Sequence, residues 1–430
     1  MSTREMKDSG IEWIGEIPKD WEIERVKDIY SERTELSSSG TETLLSVSEY
    51  YGVADRSKHI DDGDFVSRAE SLIGYKKCFK NDIVSNIMLA WKGSLGTTSL
   101  NGIVSPAYCV YKPKNNICSK FYHYLFRTDL YKSTFRLYSK GIIDSRLRLY
   151  TPYFFGINCI VPPYSEQQRI ATFLDEKCKD IDTLITLQEE MIAELQAYKQ
   201  SVISETVTKG LNPNVPMKDS GVEWIGEIPE HWEICRLKNK VSLNPNINSV
   251  LKNNDIVSFM PMQCLRNDII IPQEAIYENV KNYTHFQNGD IVMAKVTPCF
   301  ENGNIAIANN LVNDNGFGTS EIFVLRCSES YNKRYFFYYL QIPYIKGVGC
   351  ASMTGTGGLK RVNPTILSTS KLLTPPLAEQ HQIADYLDTK CAQIDELIAL
   401  KQQKITELQD YKKSLIYEYV TGKKEVPVNH

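Results

Sequence analysis

The chain has 430 residues, 42% of them apolar, and carries 49 basic against 52 acidic side chains for a net charge of −3. That length and composition bound it to two or three globular domains with sizeable cores. No apolar run approaches the roughly 18 residues of a spanning helix, and the polar start MSTREMKDSG lacks the basic and apolar regions of a secretory signal, so a cytoplasmic protein is expected. The eleven cysteines are scattered without a CxxC pair, which favours small apolar roles over metal or disulfide chemistry.

The first segment, Met6 to Ile29, returns 211 positions later as Met217 to Lys240, with 17 of 24 residues identical. A long helix is expected next, over Pro162 to Thr208, and it too returns, as Pro375 to Thr421, with 26 of 47 identities. The chain therefore reads as one unit duplicated in tandem. Between the shared pieces, residues 30–161 and 241–374 match only in scattered places, so one scaffold carries two different surfaces. The boundaries expected are 1–161 and 211–374 for two globular α+β domains, and 162–210 and 375–430 for two helical regions.

Within the first variable segment, IVSNIMLAW (83–91) and GIVSPAYCVY (102–111) read as strands and FYHYLFRTDLYKSTF (121–135) as an aromatic helix. In the second, DIVMAKV (290–296) and EIFVLRC (321–327) read as strands and RYFFYYLQIPYI (334–345) as the helix. Each aromatic stretch precedes a polar loop, SKGIIDSRLRL (139–149) and SMTGTGGLKR (352–361). Glycines there let backbone approach a ligand closely, hydroxyls and amides suit phosphate oxygens, and Arg or Lys reach base edges. The candidate DNA contacts are Lys140, Arg146 and Arg148 in the first loop, and Thr354, Thr356, Lys360 and Arg361 in the second. Lys92, Lys295 and Thr297, at the ends of strand-like runs, and Lys346 complete the set.

Charge supports this placement although the whole chain is nearly neutral. Residues 65–161 hold 14 basic against 4 acidic side chains, and residues 333–374 hold six basic and no acidic ones. Basic surface is focused where the repeat fails. Ordinary surface turns and solvated charge are the bland alternative.

The two helical regions carry a heptad seam, at Leu174, Ile181, Leu184, Met191, Leu195, Tyr198 and Val202 in the first, and Leu387, Ile394, Leu397, Leu408, Tyr411 and Leu415 in the second. Lys401 and Lys404 interrupt the second seam where Gln188 and Met191 stand in the first. A capping box at Ser165 and Gln168 is expected to open the first helix, whereas Ala378 leaves the second start easier to fray. Gly210 and Gly422 are expected to end them. Laid antiparallel, helices of this length, roughly 65 Å at about 1.5 Å per residue, form a ruler with approximate twofold symmetry and a variable domain at each end.

Catalytic signatures are missing. A DNA methylase motif needs Asn or Asp before Pro-Pro-aromatic, and this chain has VPPY (161–164) and TPPL (374–377); no Pro-Asp step and no HExxH occurs. At DSGIEWIGEIPKDW (8–21) with DSGVEWIGEIPEHW (219–232), and PPYSEQQRIATFLD (162–175) with PPLAEQHQIADYLD (375–388), the chain resembles the specificity subunit of type I restriction-modification systems. The resemblance implies two target-recognition domains, each reading half of a split site on double-stranded DNA. It further implies helices that set the spacer and dock two methyltransferase subunits, with restriction motor-nuclease subunits joining that core. S-adenosylmethionine and ATP would be bound by those partners, leaving this chain without cofactor, metal or catalysis of its own. A coiled-coil adaptor with two protein-binding domains is the alternative from another class.

Overall fold

The computed structural model describes residues 4–59, 71–246, 251–356 and 358–427. The chain divides into two compact units, Met1–Gln188 with Gln403–His430, and Glu189–Gln402. Each combines one globular α+β body with a portion of both long helices, Tyr164–Lys209 and Leu377–Val420. No helix among the described residues is long and apolar enough to cross a membrane.

Both bodies are built on the same plan. In the first unit a short hairpin, Met6–Asp8 with Glu16–Pro18, leads into Glu22–Arg25, which pairs with Asn158–Val161 just before the long helix. The second repeats this with Met217–Asp219, Glu227–Pro229, Glu233–Arg236 and Lys371–Thr374. A four-stranded antiparallel sheet follows in the order Tyr30–Glu32, Cys109–Pro113, Ile83–Ser85, Leu95–Thr97. Its counterpart runs Val241–Leu243, Ile322–Cys327, Ile291–Ala294, Ile305–Ile307 in the same order. Two sequences that barely match thus share one sheet.

The strands are shorter than the apolar runs suggest. Residues 83–91 form a strand only over Ile83–Ser85 and then turn into a 3-10 helix at Ala90–Lys92. Residues 102–111 break into Gly102–Val104 and Cys109–Pro113, because Tyr108 turns back onto Ser105. Each aromatic stretch is likewise two helices. Thr128 caps Asp129–Tyr138 by accepting from the Tyr131 amide, and Pro343 starts Pro343–Ala351, so the chain bends after Leu125 and again after Leu340. The units differ in their additions: the second carries another four-stranded sheet, with Ile256–Met260 parallel to Asn315–Gly318, where the described residues of the first form two-stranded pairs, Leu45–Ser48 with Gly52–Asp55 and Lys76–Cys78 with Gly102–Val104.

The PPxxEQxxIAxxLD motif joins helix to body through a fixed set of contacts. In the first unit the Trp21 indole N–H donates to Glu166 at 2.9 Å, and in the second Trp232 donates to Glu379 at 2.8 Å, with both indoles fully buried. Gln167 accepts from the Cys118 amide and donates to the Pro162 carbonyl, and Gln380 does the same with Asn332 and Pro375. Asp175 accepts from Tyr124 and pairs with Lys120, as Asp388 does with Tyr338 and Arg334. The isoleucine, alanine and leucine of the motif, Ile170, Ala171 and Leu174 or Ile383, Ala384 and Leu387, sit in the core. At the far ends, Gly210 and Gly422 leave the helices at φ +77° and +73° and lie against Trp232 and Trp21, where a Cβ would crowd the ring.

Two expectations about the helices are corrected here. The helix starts at Tyr164, so Ser165 lies inside the first turn and no capping box forms; Gln167 and Gln380 reach back to the carbonyls of Pro162 and Pro375 instead. Ala378 therefore costs the second helix no cap. The heptad seam is also only partly closed. Leu174, Ile181, Leu387, Ile394 and Leu415 are buried, whereas Leu184, Met191, Tyr198, Leu397 and Tyr411 are 41–57% exposed. Leu195, Val202 and Leu408 are half-buried, so the pair of helices covers one stripe on each and leaves only part of the seam facing solvent.

Within each unit the two helices run antiparallel. Lys412 pairs with Asp182 at 2.6 Å and Phe173 packs on Tyr419 in the first; Lys199 pairs with Asp395 at 2.6 Å in the second, where Lys401 lies 3.2 Å from the Met191 sulfur. The two ion pairs are the same pair twice, offset by the repeat. Cys178 and Cys391 are buried on these helices as small apolar residues, with burial raising both thiol pKa values.

Candidate nucleic-acid interface

The two polar loops fold alike. In the first, Lys140 and Arg148 exchange two backbone hydrogen bonds of 2.9 Å, closing 140–148 into a small hairpin. In the second, Thr354 and Arg361 exchange bonds of 3.1 and 2.9 Å. The residue after the first bridge position is glycine in both, Gly141 at φ +152° and Gly355 at φ +150°, each against the carbonyl of the returning arm. A side chain there would meet that carbonyl and open the hairpin.

Each hairpin is seated on the body by its returning arm. Leu149 donates to the Ile87 carbonyl, and Val362 to that of Lys295, both at 2.9 Å. The second seat is tighter, since the Thr297 hydroxyl donates to Gly358 O and accepts from the Lys360 amide. Lys295, Thr297, Thr354, Lys360 and Arg361 are thereby brought into one neighbourhood. Thr356 is exposed at the loop tip; Gly357 lies outside the described residues.

On the first hairpin, Arg146 is exposed, while Arg148 turns its guanidinium onto the carbonyls of Ser145 and Leu147. Lys140 lies over the Tyr153 ring. Lys92 belongs to the turn beneath the hairpin, where the Trp91 ring carries Lys92 at 5.3 Å and Arg136 at 4.9 Å; Arg136 also pairs with Asp144 of the loop at 2.7 Å. Lys346 falls elsewhere, in a cleft of about 140 Å³ lined by Gln200, Asn302, Asn304 and Gln341. Two side chains of these sites are invisible to sequence reasoning. Arg136 is one of many basic residues in its segment, and Glu321 lies 40 residues from the arginine it holds. Arg361 donates to both carboxylate oxygens of Glu321 at 2.8 Å, and that contact lowers the Glu321 pKa.

The arrangement presents exposed cations on two equivalent, glycine-shaped hairpins, which suits the phosphates and base edges of a duplex. Among the described residues no cluster of His, Cys, Asp and Glu could hold a metal ion. The family model described as "Type I restriction modification DNA specificity domain" matches residues 18–197 and 229–410. The chain belongs to that family. The two matches to the specificity domain fall one in each copy of the repeat.

Among relatives, the EcoEI type I restriction enzyme specificity subunit of Escherichia coli is 32% identical over 224 residues, 51% of this chain and 37% of that protein. The chain is thus matched over little more than a third of that relative's length. The MjaVIII specificity subunit of Methanocaldococcus jannaschii is 26% identical over 431 residues, 95% of this chain and 93% of its own. Two solved structures share the specificity-domain fold at low identity. One, from a study of complex assembly and conformational transition in the type I R-M system, has a TM-score of 0.69 at 15% identity and covers 95% of this chain and 99% of its own. The HsdS subunit from Thermoanaerobacter tengcongensis has a TM-score of 0.54 at 16% identity, with coverages of 95% and 98%.

Proposed function

We infer that this protein is the DNA specificity subunit of a type I restriction-modification complex, reading a split target on double-stranded DNA with one hairpin-bearing body per half-site. The carrying observation is that both copies match a DNA specificity domain while their hairpins, equivalent in backbone, differ in side chains. One unit offers Lys140 and Arg146, the other Lys360 and a buttressed Arg361. Tethering two such readers makes the second half-site encounter intramolecular and raises avidity without new contacts.

The partly open helical seam supports docking of two methyltransferase subunits. The first unit exposes Leu184 and Leu187 from one helix with Tyr411 from the other; the second exposes Leu397, Leu400 and Tyr198, the same three residues at the repeat offset. Equal apolar patches fit two copies of one partner. Motor-nuclease subunits would join through that core, the methyl donor and ATP would sit on the partners, and the chain itself would be non-catalytic. A gel-shift titration on duplex DNA tests this. Chain and methyltransferase together should give one sequence-selective complex; binding of protein partners with no selectivity for DNA would favour the adaptor reading.

A further inference from the structure

Building on the DNA-reading function above, the geometry points to Arg361 as the residue that selects guanine at one position of the half-site read by the second unit. A guanidinium can grip two acceptors on its Nε side and two more at its Nη1/Nη2 end. Glu321 occupies the first edge, through Nε to Oε2 and Nη2 to Oε1, both at 2.8 Å. The end-on edge remains, on a side chain that is 48% exposed. That edge matches the O6 and N7 acceptors of guanine in the major groove; adenine puts a donor where guanine has O6 and lacks that fit.

The backbone of Arg361 is fixed on both flanks. It bridges to Thr354 across the hairpin and to Val296 on the body, and on either side of it the Thr297 amide donates to the Lys360 carbonyl and the Val362 amide to the Lys295 carbonyl. Main chain and side chain are therefore set before DNA arrives, which reduces the ordering cost of binding. Glu321 is itself anchored, because its carbonyl accepts from the Lys295 amide at 3.0 Å. Its carboxylate also repels phosphate, so Arg361 is suited to a base edge rather than to the backbone. Lys360 alongside is exposed, and its compact charge suits phosphate.

The test is to map methylated positions in cells producing the full chain with its cognate methyltransferase subunits, for wild type, Arg361→Ala, Arg361→Lys and Glu321→Ala. Both Arg361 variants should relax one position of one half-site from guanine, by about 5- to 150-fold in relative methylation, and leave the other half-site unchanged. Glu321→Ala should relax the same position to a smaller degree. An unchanged motif in Arg361→Ala overturns the assignment, as does a uniform loss of methylation that Arg361→Lys restores, since that marks a phosphate contact. Thermal melting of the purified variants separates lost recognition from lost folding. If wild type yields no split motif, the specificity-subunit reading fails instead; a wild-type motif that survives Arg361→Ala sinks this inference alone.

Discussion

Replacing Gln167 by alanine removes a side chain that is 1% exposed and bonded at both ends. Its carbonyl oxygen accepts from the Cys118 amide at 2.9 Å, and its amide donates to the Pro162 carbonyl at 2.8 Å. The Pro162 oxygen is left buried without a partner, costing about 1–3 kcal/mol, while the part-buried Cys118 amide can recruit water and adds about 1. The expected loss is about 2–4 kcal/mol, or roughly 30- to 900-fold faster exchange of amides that open with the unit. Native-state hydrogen exchange suits the case, because a chain with two compact units need not unfold in one step. Val84 and Val110 in the first sheet should lose protection, while Val292 and Val324 in the second keep theirs. Gln380→Ala, which removes the matching bonds to Asn332 and Pro375, should invert the pattern. A change under about threefold at Val84 and Val110, or equal loss in both units, would refute the idea that this glutamine ties helix to body.

His123 is held down at about 3, by burial first and then by the charges of Arg127 and Lys120, and its Nδ1 accepts from the Thr97 amide. Its unfolded pKa is about 6.5, so the unfolded chain binds the extra proton; stability is full above that value and falls as pH drops toward 3, by up to about 1.4 kcal/mol per pH unit. Urea unfolding of His123→Gln between pH 6.5 and 5 should show a shallower decline, and a slope equal to wild type would contradict the assignment. Leu184→Asp with Leu187→Asp alters side chains 46% and 42% exposed, so melting should change little. Native mass spectrometry should then find one methyltransferase copy where the proposed function expects two on wild type; two copies retained by the variant would remove this patch from the docking surface.

The sequence exposed its scaffold because duplication makes unlike positions easy to tell from like ones. The long helices, their terminal glycines and the equivalence of the two hairpins were all legible. Partners distant in sequence were not: Trp21 meets Glu166 across 145 residues, and Arg361 meets Glu321 across 40. The capping expectation failed because a glutamine two residues past Ser165 competes for the same helix start and has the reach to close it. How far the seam is covered was not legible, because periodicity marks apolar positions without saying what packs on them. At the candidate site, residue type marked Arg361 and Arg148 alike, yet one is buttressed by a carboxylate and the other folds onto its own loop.

On the proposed function, each variable segment reads its own half of the target. Transplanting residues 30–161 from another specificity subunit of known target, while keeping residues 162–430, tests it when methylated positions are mapped in cells carrying the chimera. The chimera's motif should have one half replaced, the other half unchanged and the spacer preserved. A motif altered in both halves, or in neither, would contradict it.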